Sequence, residues 1–228
     1  MNDWIDPDTD RDYRTVVPPA LMEEYYFSLG QLMHQFTTVE SALNAVVTNF
    51  LTRHLLKHMT GLALLKAAYG GMRAKAAGET IKRINRAARP QAVGTPKEAL
   101  LPFELAQVEI EAALKQLSSI QELRDRLAHH YVTPDMTNKG GWFSSSNYLT
   151  REPERADTLF FTPAMLRAAA ADLQRVPDHV DAALNAPYST DASRILQSLA
   201  KQRSDQPWHY SEQSLRRDGL RHGQPRKG

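Results

Sequence analysis

The chain has 228 residues, of which 42% are hydrophobic, and its formal net charge is +2. This length and hydrophobic content suit one sizeable core. The absence of cysteine excludes disulfides, thiolate metal sites and cysteine nucleophiles. The acidic opening MNDWIDPDTD is unlike a signal peptide, and no run approaches the roughly 18 apolar residues of a membrane span. We therefore expect a cytoplasmic protein that has no contact with membranes.

The first predicted elements are an arm and a long helix. Residues 1–19 form the arm, because Pro18 and Pro19 block an earlier helix start. Apolar residues spaced by threes and fours then predict an amphipathic helix that ends near Lys57. Its apolar seam, expected to be buried, consists of Met22, Tyr25, Leu29, Leu32, Phe36, Val39, Leu43, Val46 and Phe50.

The middle of the chain predicts two shorter helical stretches and a second long helix. The shorter stretches are Gly61 to Tyr69 and, after the glycine-containing segment YGGMRAKAAG, a basic helix from Glu79 to Ala88. After a loop with Pro90, Gly94 and Pro96, the long helix runs from about Pro96 to Tyr131.

The last third of the chain predicts a small β-hairpin and two helices. The aromatic, turn-flanked segments GGWFSSSNYL and DTLFF place the hairpin near 141–161. Thr162 caps the next helix, and residues 190–202 form the last one. The polar, basic residues 203–228 are expected to be disordered. The sequence thus predicts an all-α fold: one antiparallel bundle of four to five helices over 20–202, with a small hairpin.

Basic residues are concentrated in one segment. From Arg53 to Pro90 there are nine basic residues and one acid, a net charge of +8, so the rest of the chain carries −6. Such a segment suits phosphate binding, because neutralising phosphates releases counterions. Lys82, Arg83 and Arg86 are the candidate nucleic-acid contacts. The alternative is a solvated helix face.

The segment ELRDRLAHHYV places charge on a buried face. On a helical wheel at about 100° per residue, Arg124 lies in the middle of the apolar stripe, and Asp125 and His129 share one edge of it. A charge at such a position is costly unless it is paired. One reading is therefore structural: a buried arginine that pairs with a carboxylate, for which Glu40 on the first helix is the best candidate.

RDRLAH resembles the Arg-x4–6-His motif of the HEPN superfamily. The first long helix, LGQLMHQFTTVESALNAVV, the late position of the motif in a following long helix, and the hairpin and FTPAMLRAAAADL helix after it are similar to that family over about residues 21–185. The resemblance implies a HEPN-like fold and a metal-independent endoribonuclease, often a toxin of a toxin–antitoxin pair or part of anti-phage defence. It also implies a homodimer in which two motifs face each other, with RNA and an antitoxin or another protein as partners.

The resemblance also implies roles for the motif residues. His129 is the general acid or base at the ribose 2′-hydroxyl, Arg124 stabilises charge on the scissile phosphate, and Asp125 orients the imidazole. The family permits aspartate after the arginine, where other members have asparagine. His54 and His58 have the spacing of a metal pair but lack a third ligand, so we expect no metal or cofactor.

Two alternatives to an enzyme stay open. One is a module of the same fold that binds RNA or a partner protein without cleaving. The other is an unrelated helical interaction protein whose seam from Met22 to Phe50 is an assembly face. Incubation with labelled RNA distinguishes the three hypotheses. Cleavage indicates the ribonuclease, retention without cleavage indicates the RNA-binding module, and neither result indicates the interaction protein.

Overall fold

The structure is a computed structural model that describes residues 18–54, 72–90, 96–129, 131–134, 143–146 and 159–210. In these ranges the helices are α1 (Pro19–His54), α2 (Ala74–Ala88), α3 (Lys97–His129), α4 (Pro163–Asn185) and α5 (Ala192–Asp205). The strands are β1 (Tyr131–Pro134), β2 (Phe143–Ser146) and β3 (Leu159–Phe161), and a 3₁₀ turn, Ala186–Tyr188, links α4 to α5. The predicted helical bundle with a small hairpin is confirmed. Within the described ranges, no helix is long and apolar enough to cross a membrane.

The apolar seam of α1 forms one wall of the core. The seam residues are buried, except that Met22 and Leu29 are half-buried and pack against the core from its edge. Helix α4 packs against both α1 and α3, and so lies at the centre of the bundle. Each large side chain buried in this way stabilises the fold by about 1.5–3 kcal/mol.

Helix α2 begins at Ala74, five residues before the predicted start at Glu79. Two contacts explain the difference. The Glu40 carboxylate accepts a hydrogen bond from the Ala74 backbone N–H at 3.2 Å, which satisfies one of the free donors at the helix start. Gly78 faces α3 so closely that an added Cβ would lie 3.2 Å from Leu114. The glycine that predicted a break therefore permits close packing of two helices.

The small sheet has one strand more than predicted. Its order is β1-β2-β3 with both pairs antiparallel, so β2 and β3 form the predicted hairpin. The extra strand β1 falls partly on residues predicted to be helical, because α3 ends at His129 and the chain continues as a strand from Tyr131. The buried ring of Phe143 stacks on Tyr25 at 4.4 Å, which places the sheet against the start of α1.

The predicted tail boundary at residue 203 is wrong for residues 203–210. Helix α5 continues to Asp205, and the Tyr210 side chain is buried against the bundle. These residues are held by two carboxylates, Glu109 on α3 and Asp172 on α4, which the hydrophobicity pattern does not reveal. The predicted arm up to residue 17, the helix from Gly61 to Tyr69, and residues 211–228 lie outside the described residues.

Candidate functional site

Arg124 lies near the C-terminal end of α3 and is less buried than its position on the stripe predicted. Its side chain is 38% exposed, and its Nη1 donates to Asp125 Oδ1 at 2.5 Å. The guanidinium lies over the Phe36 ring of α1, 5.1 Å from the ring centre. The long side chain thus covers apolar surface while its charged end reaches the rim.

The predicted pairing of Arg124 with Glu40 is wrong. Glu40 is occupied at the start of α2, where it accepts from Ala74. Its place as the partner of Arg124 is taken by the neighbouring residue Asp125. The physical reason is that the guanidinium needs no buried carboxylate, since it is partly solvated and rests on an aromatic ring.

Asp125 and His129 line the same cleft. They are four residues apart on α3, and both face a cavity of about 390 Å³ between α3 and the start of α2. The cavity's remaining walls come from Lys75, Ser118, Gln121, Glu122 and Arg126. His129 is exposed, so its imidazole is open to solvent and to a ligand. Arg124 is not in these walls and reaches the cleft through its ion pair with Asp125.

The predicted nucleic-acid contacts on α2 lie in different surroundings. Lys82 donates to Glu79 at 2.9 Å, and this hydrogen bond holds the pKa of the Glu79 carboxyl below its ordinary value. Arg86 lines a second cavity, of about 370 Å³, near the start of α3. Arg83 is exposed and lies outside the walls of both cavities. None of the three residues lines the His129 cleft itself, and they do not lie together in one cavity.

Lys75 is a cleft residue that the sequence did not single out. It projects from the first turn of α2, and the early start of that helix brings it to the cleft of Asp125 and His129. The sequence did show that Lys75 belongs to the basic segment, but the predicted helix began only at Glu79, four residues after it. Within the described ranges, no carboxylate pairs with its ammonium group.

A buried polar ladder between α3 and α4 was also missed. Gln116 Nε2 donates to Asp172 Oδ2 at 2.9 Å, and His179 Nε2 is 3.0 Å from Glu109 Oε2. Glu109 and Gln116 are seven residues apart on α3, and Asp172 and His179 are seven residues apart on α4. The order of the pairs is reversed between the two helices, as antiparallel packing requires. All four residues are buried, and these two-turn spacings were the available signal. The ladder fixes the register of α4 against α3.

The ladder also binds the end of the described chain. Arg203 of α5 donates two hydrogen bonds to the Glu109 carboxylate, of 3.0 and 3.1 Å. Asp172 accepts from the backbone N–H groups of His209 at 3.1 Å and Tyr210 at 2.8 Å. Residues 203–210 are thereby fixed to the bundle on a different set of residues from those of the His129 cleft.

His179 makes stability depend on pH. Burial lowers the pKa of its imidazole below the ordinary 6.5, an effect that outweighs the opposing effect of the hydrogen bond that His179 Nε2 donates to the Glu109 carboxylate. As pH falls, His179 is therefore protonated in the unfolded chain before it is protonated in the folded protein. The contribution of neutral, buried His179 to stability is complete above about pH 6.5 and is lost as pH falls toward the lower pKa of the folded state. We expect the free energy of unfolding to fall by up to about 1.4 kcal/mol per pH unit in this window.

Urea denaturation at pH 7.5, 6.5 and 5.5 measures this effect. His179→Gln should show a shallower loss of stability than the wild type, whereas His34→Gln, which changes an exposed histidine of α1, should keep the wild-type slope. Equal slopes for the wild type and His179→Gln would contradict the prediction.

Across the described ranges, no group of three or more histidine, aspartate or glutamate side chains has an arrangement that could hold a metal ion. The chemistry that the cleft offers is that of an imidazole, a carboxylate, an ammonium and a guanidinium. Comparisons of the chain with protein-family models, with curated proteins and with solved structures give no match.

Proposed function

We propose that the protein is a HEPN-like, metal-independent endoribonuclease that acts on RNA in the cytoplasm. The observation that carries the proposal is the shared cleft of Asp125 and His129, with Arg124 ion-paired at its edge. These are the three residues of the Arg-x4–6-His motif and its following polar position. The resemblance further suggests a toxin or a component of anti-phage defence, with an antitoxin or another protein as partner.

The reaction needs a base at the ribose. His129, whose unperturbed pKa is near 6.5, takes the proton of the 2′-hydroxyl. The 2′-oxygen then attacks the adjacent phosphorus, the bond to the 5′-oxygen breaks, and that oxygen takes a proton from water. The products are a 2′,3′-cyclic phosphate and a 5′-hydroxyl end.

Arg124 and Asp125 support this step. Phosphoryl transfer builds negative charge on the phosphate oxygens, and a guanidinium stabilises that charge with a planar set of donors. One donor of Arg124 is used by Asp125, and the partly exposed group keeps others for phosphate. Asp125, one turn before His129, is suited to orient the imidazole when RNA enters.

Incubation of the purified protein with end-labelled single-stranded RNA in EDTA tests the proposal. We expect cleavage that EDTA does not stop and products that end in a 2′,3′-cyclic phosphate. Activity that is lost in EDTA and restored by a divalent metal would contradict the proposed chemistry. So would a protein that retains RNA without cutting it.

The second candidate is a module of the same fold that binds RNA or a protein without cleaving. The observation in its favour is the position of Arg124, whose guanidinium is held between Asp125 and the Phe36 ring. An arginine held in this way has a structural role that requires no reaction. Retention of intact RNA in the same experiment supports this candidate.

The proposal includes a homodimer with the Arg124 helices near the interface. Support comes from α1, whose Phe36 lies under Arg124. Near its start, Tyr26 and Phe27 are 62% and 64% exposed, and large exposed aromatic side chains are typical of interfaces. Light scattering at tens of micromolar should give the mass of a dimer, and Phe27→Asp should shift it toward the monomer. A wild-type monomer would contradict this part.

A further inference from the structure

The cleft of His129 continues along α2. A smaller cavity of about 100 Å³ has Gly78 and Lys82 in its α2 wall and Leu114 in its α3 wall. Lys75, Ser118 and Gln121 line both this cavity and the His129 cleft. The two cavities therefore form one groove between α2 and α3, which we call the α2–α3 groove, from His129 to Lys82.

The charges in the α2–α3 groove are arranged unequally. Its three carboxylates each have a basic partner: Glu79 pairs with Lys82, Glu122 with Arg126, and Asp125 with Arg124. Lys75 adds a positive charge that no carboxylate balances within the described ranges. On the opposite wall, α3 offers the uncharged side chains of Ser118 and Gln121. With Arg124 counted at its edge, the groove has four basic residues and three acids, a net charge of +1, and each acid is paired.

Beyond Lys82, different charged residues line the space between α2 and α3. There Arg89 forms an ion pair with Glu104, and Glu111 accepts a hydrogen bond from Gln107. Arg86 lines the same space, so its positive charge offsets the negative charge of Glu111 there. The α2–α3 groove differs in that Lys75, which no carboxylate pairs with in the described ranges, lines the same cleft as His129.

We propose that the α2–α3 groove binds the phosphate backbone of single-stranded RNA, with Lys75 and Lys82 contacting phosphates on one side of the scissile bond. This rests on the proposed function, because it takes the scissile phosphate to lie at His129. The two lysines are seven residues apart on α2, about 10 Å along the helix axis, which is the rise of about three stacked nucleotides.

We expect the groove to contact the phosphate backbone of the RNA and not its bases. Apart from the imidazole of His129, its walls contain no phenylalanine, tyrosine or tryptophan among the described residues, so beyond His129 they offer no ring on which a base could stack. Contacts to phosphate fix register and orientation but carry no sequence information. We therefore expect binding that depends strongly on salt and weakly on sequence.

The test is binding of a labelled single-stranded 2′-O-methyl RNA oligonucleotide, which keeps the phosphates but lacks the reactive hydroxyl. The dissociation constant is measured by fluorescence anisotropy between 50 and 200 mM salt. Each lost phosphate contact should flatten the log–log slope by about 0.7 for a single strand. We expect this change for Lys75→Ala and for Lys82→Ala. Lys201→Ala, which removes an exposed lysine of α5, should keep the wild-type slope.

The outcomes separate the groove from the proposed reaction. Binding with the expected slopes supports the groove even if the wild type never cuts RNA, a result that would end only the nuclease proposal. An unchanged slope for Lys75→Ala overturns the groove, whether or not the enzyme is active. The groove is also overturned if Arg83→Ala, outside its walls, flattens the slope as much as Lys75→Ala, because the attraction is then spread over the whole face of α2. Circular dichroism verifies that each variant is folded.

Discussion

RNA cleavage should fall by about 10²–10⁴-fold in His129→Ala and by about 10²–10³-fold in Arg124→Ala, the usual losses for a general acid or base and for a preformed charge stabiliser. His129 is exposed in the cleft, so its loss should leave the fold intact. Arg124→Ala removes the contact with Phe36, which has a modest structural cost. Asp125→Ala should have an intermediate effect. Initial rates on end-labelled RNA measure all three.

Two further variants separate chemistry from structure. Arg124→Lys keeps the charge over Phe36 but loses the planar set of donors, so it should fold normally and still cleave slowly. His34→Ala, which changes an exposed histidine on α1, should keep wild-type activity. If Arg124→Ala unfolds the protein while the wild type leaves RNA intact, Arg124 has a structural role, and the proposal of a ribonuclease is contradicted.

Asp172→Ala should lower the free energy of unfolding by about 3–5 kcal/mol, one of the largest effects of any single substitution in the chain. The Asp172 side chain is 0% exposed and accepts from Gln116 and from the backbone N–H groups of His209 and Tyr210. Alanine leaves these buried donors without an acceptor. Urea denaturation at pH 7.5 measures the loss, and trypsin cleavage after Arg203 should become faster.

Asp178→Ala is the matched control, because Asp178 is an exposed aspartate on the same helix. We expect it to change the free energy of unfolding by no more than about 0.5 kcal/mol. Asp172→Asn should cost less than alanine, since its amide oxygen can still accept. If Asp172→Ala costs no more than the control, residues 206–210 are not anchored as the structure indicates.

The sequence determined the bundle and one part of the site. The seam of α1 and the cap at Thr162 depend on local spacing, and local spacing survives folding because the hydrophobic period and the capping geometry are properties of the helix itself. For the same reason, four residues on one helix predict that Asp125 and His129 face the same side. The shared cleft agrees with that prediction.

Only the tertiary structure decided which distant residues meet. Glu40 caps α2 instead of pairing with Arg124, Lys75 joins the His129 cleft, and Asp172 fixes the segment that ends at Tyr210. Each of these contacts joins elements far apart in the chain. Their geometry depends on how two helices cross and at what register, which local spacing does not specify. A carboxylate or ammonium finds its partner only after the apolar faces have packed.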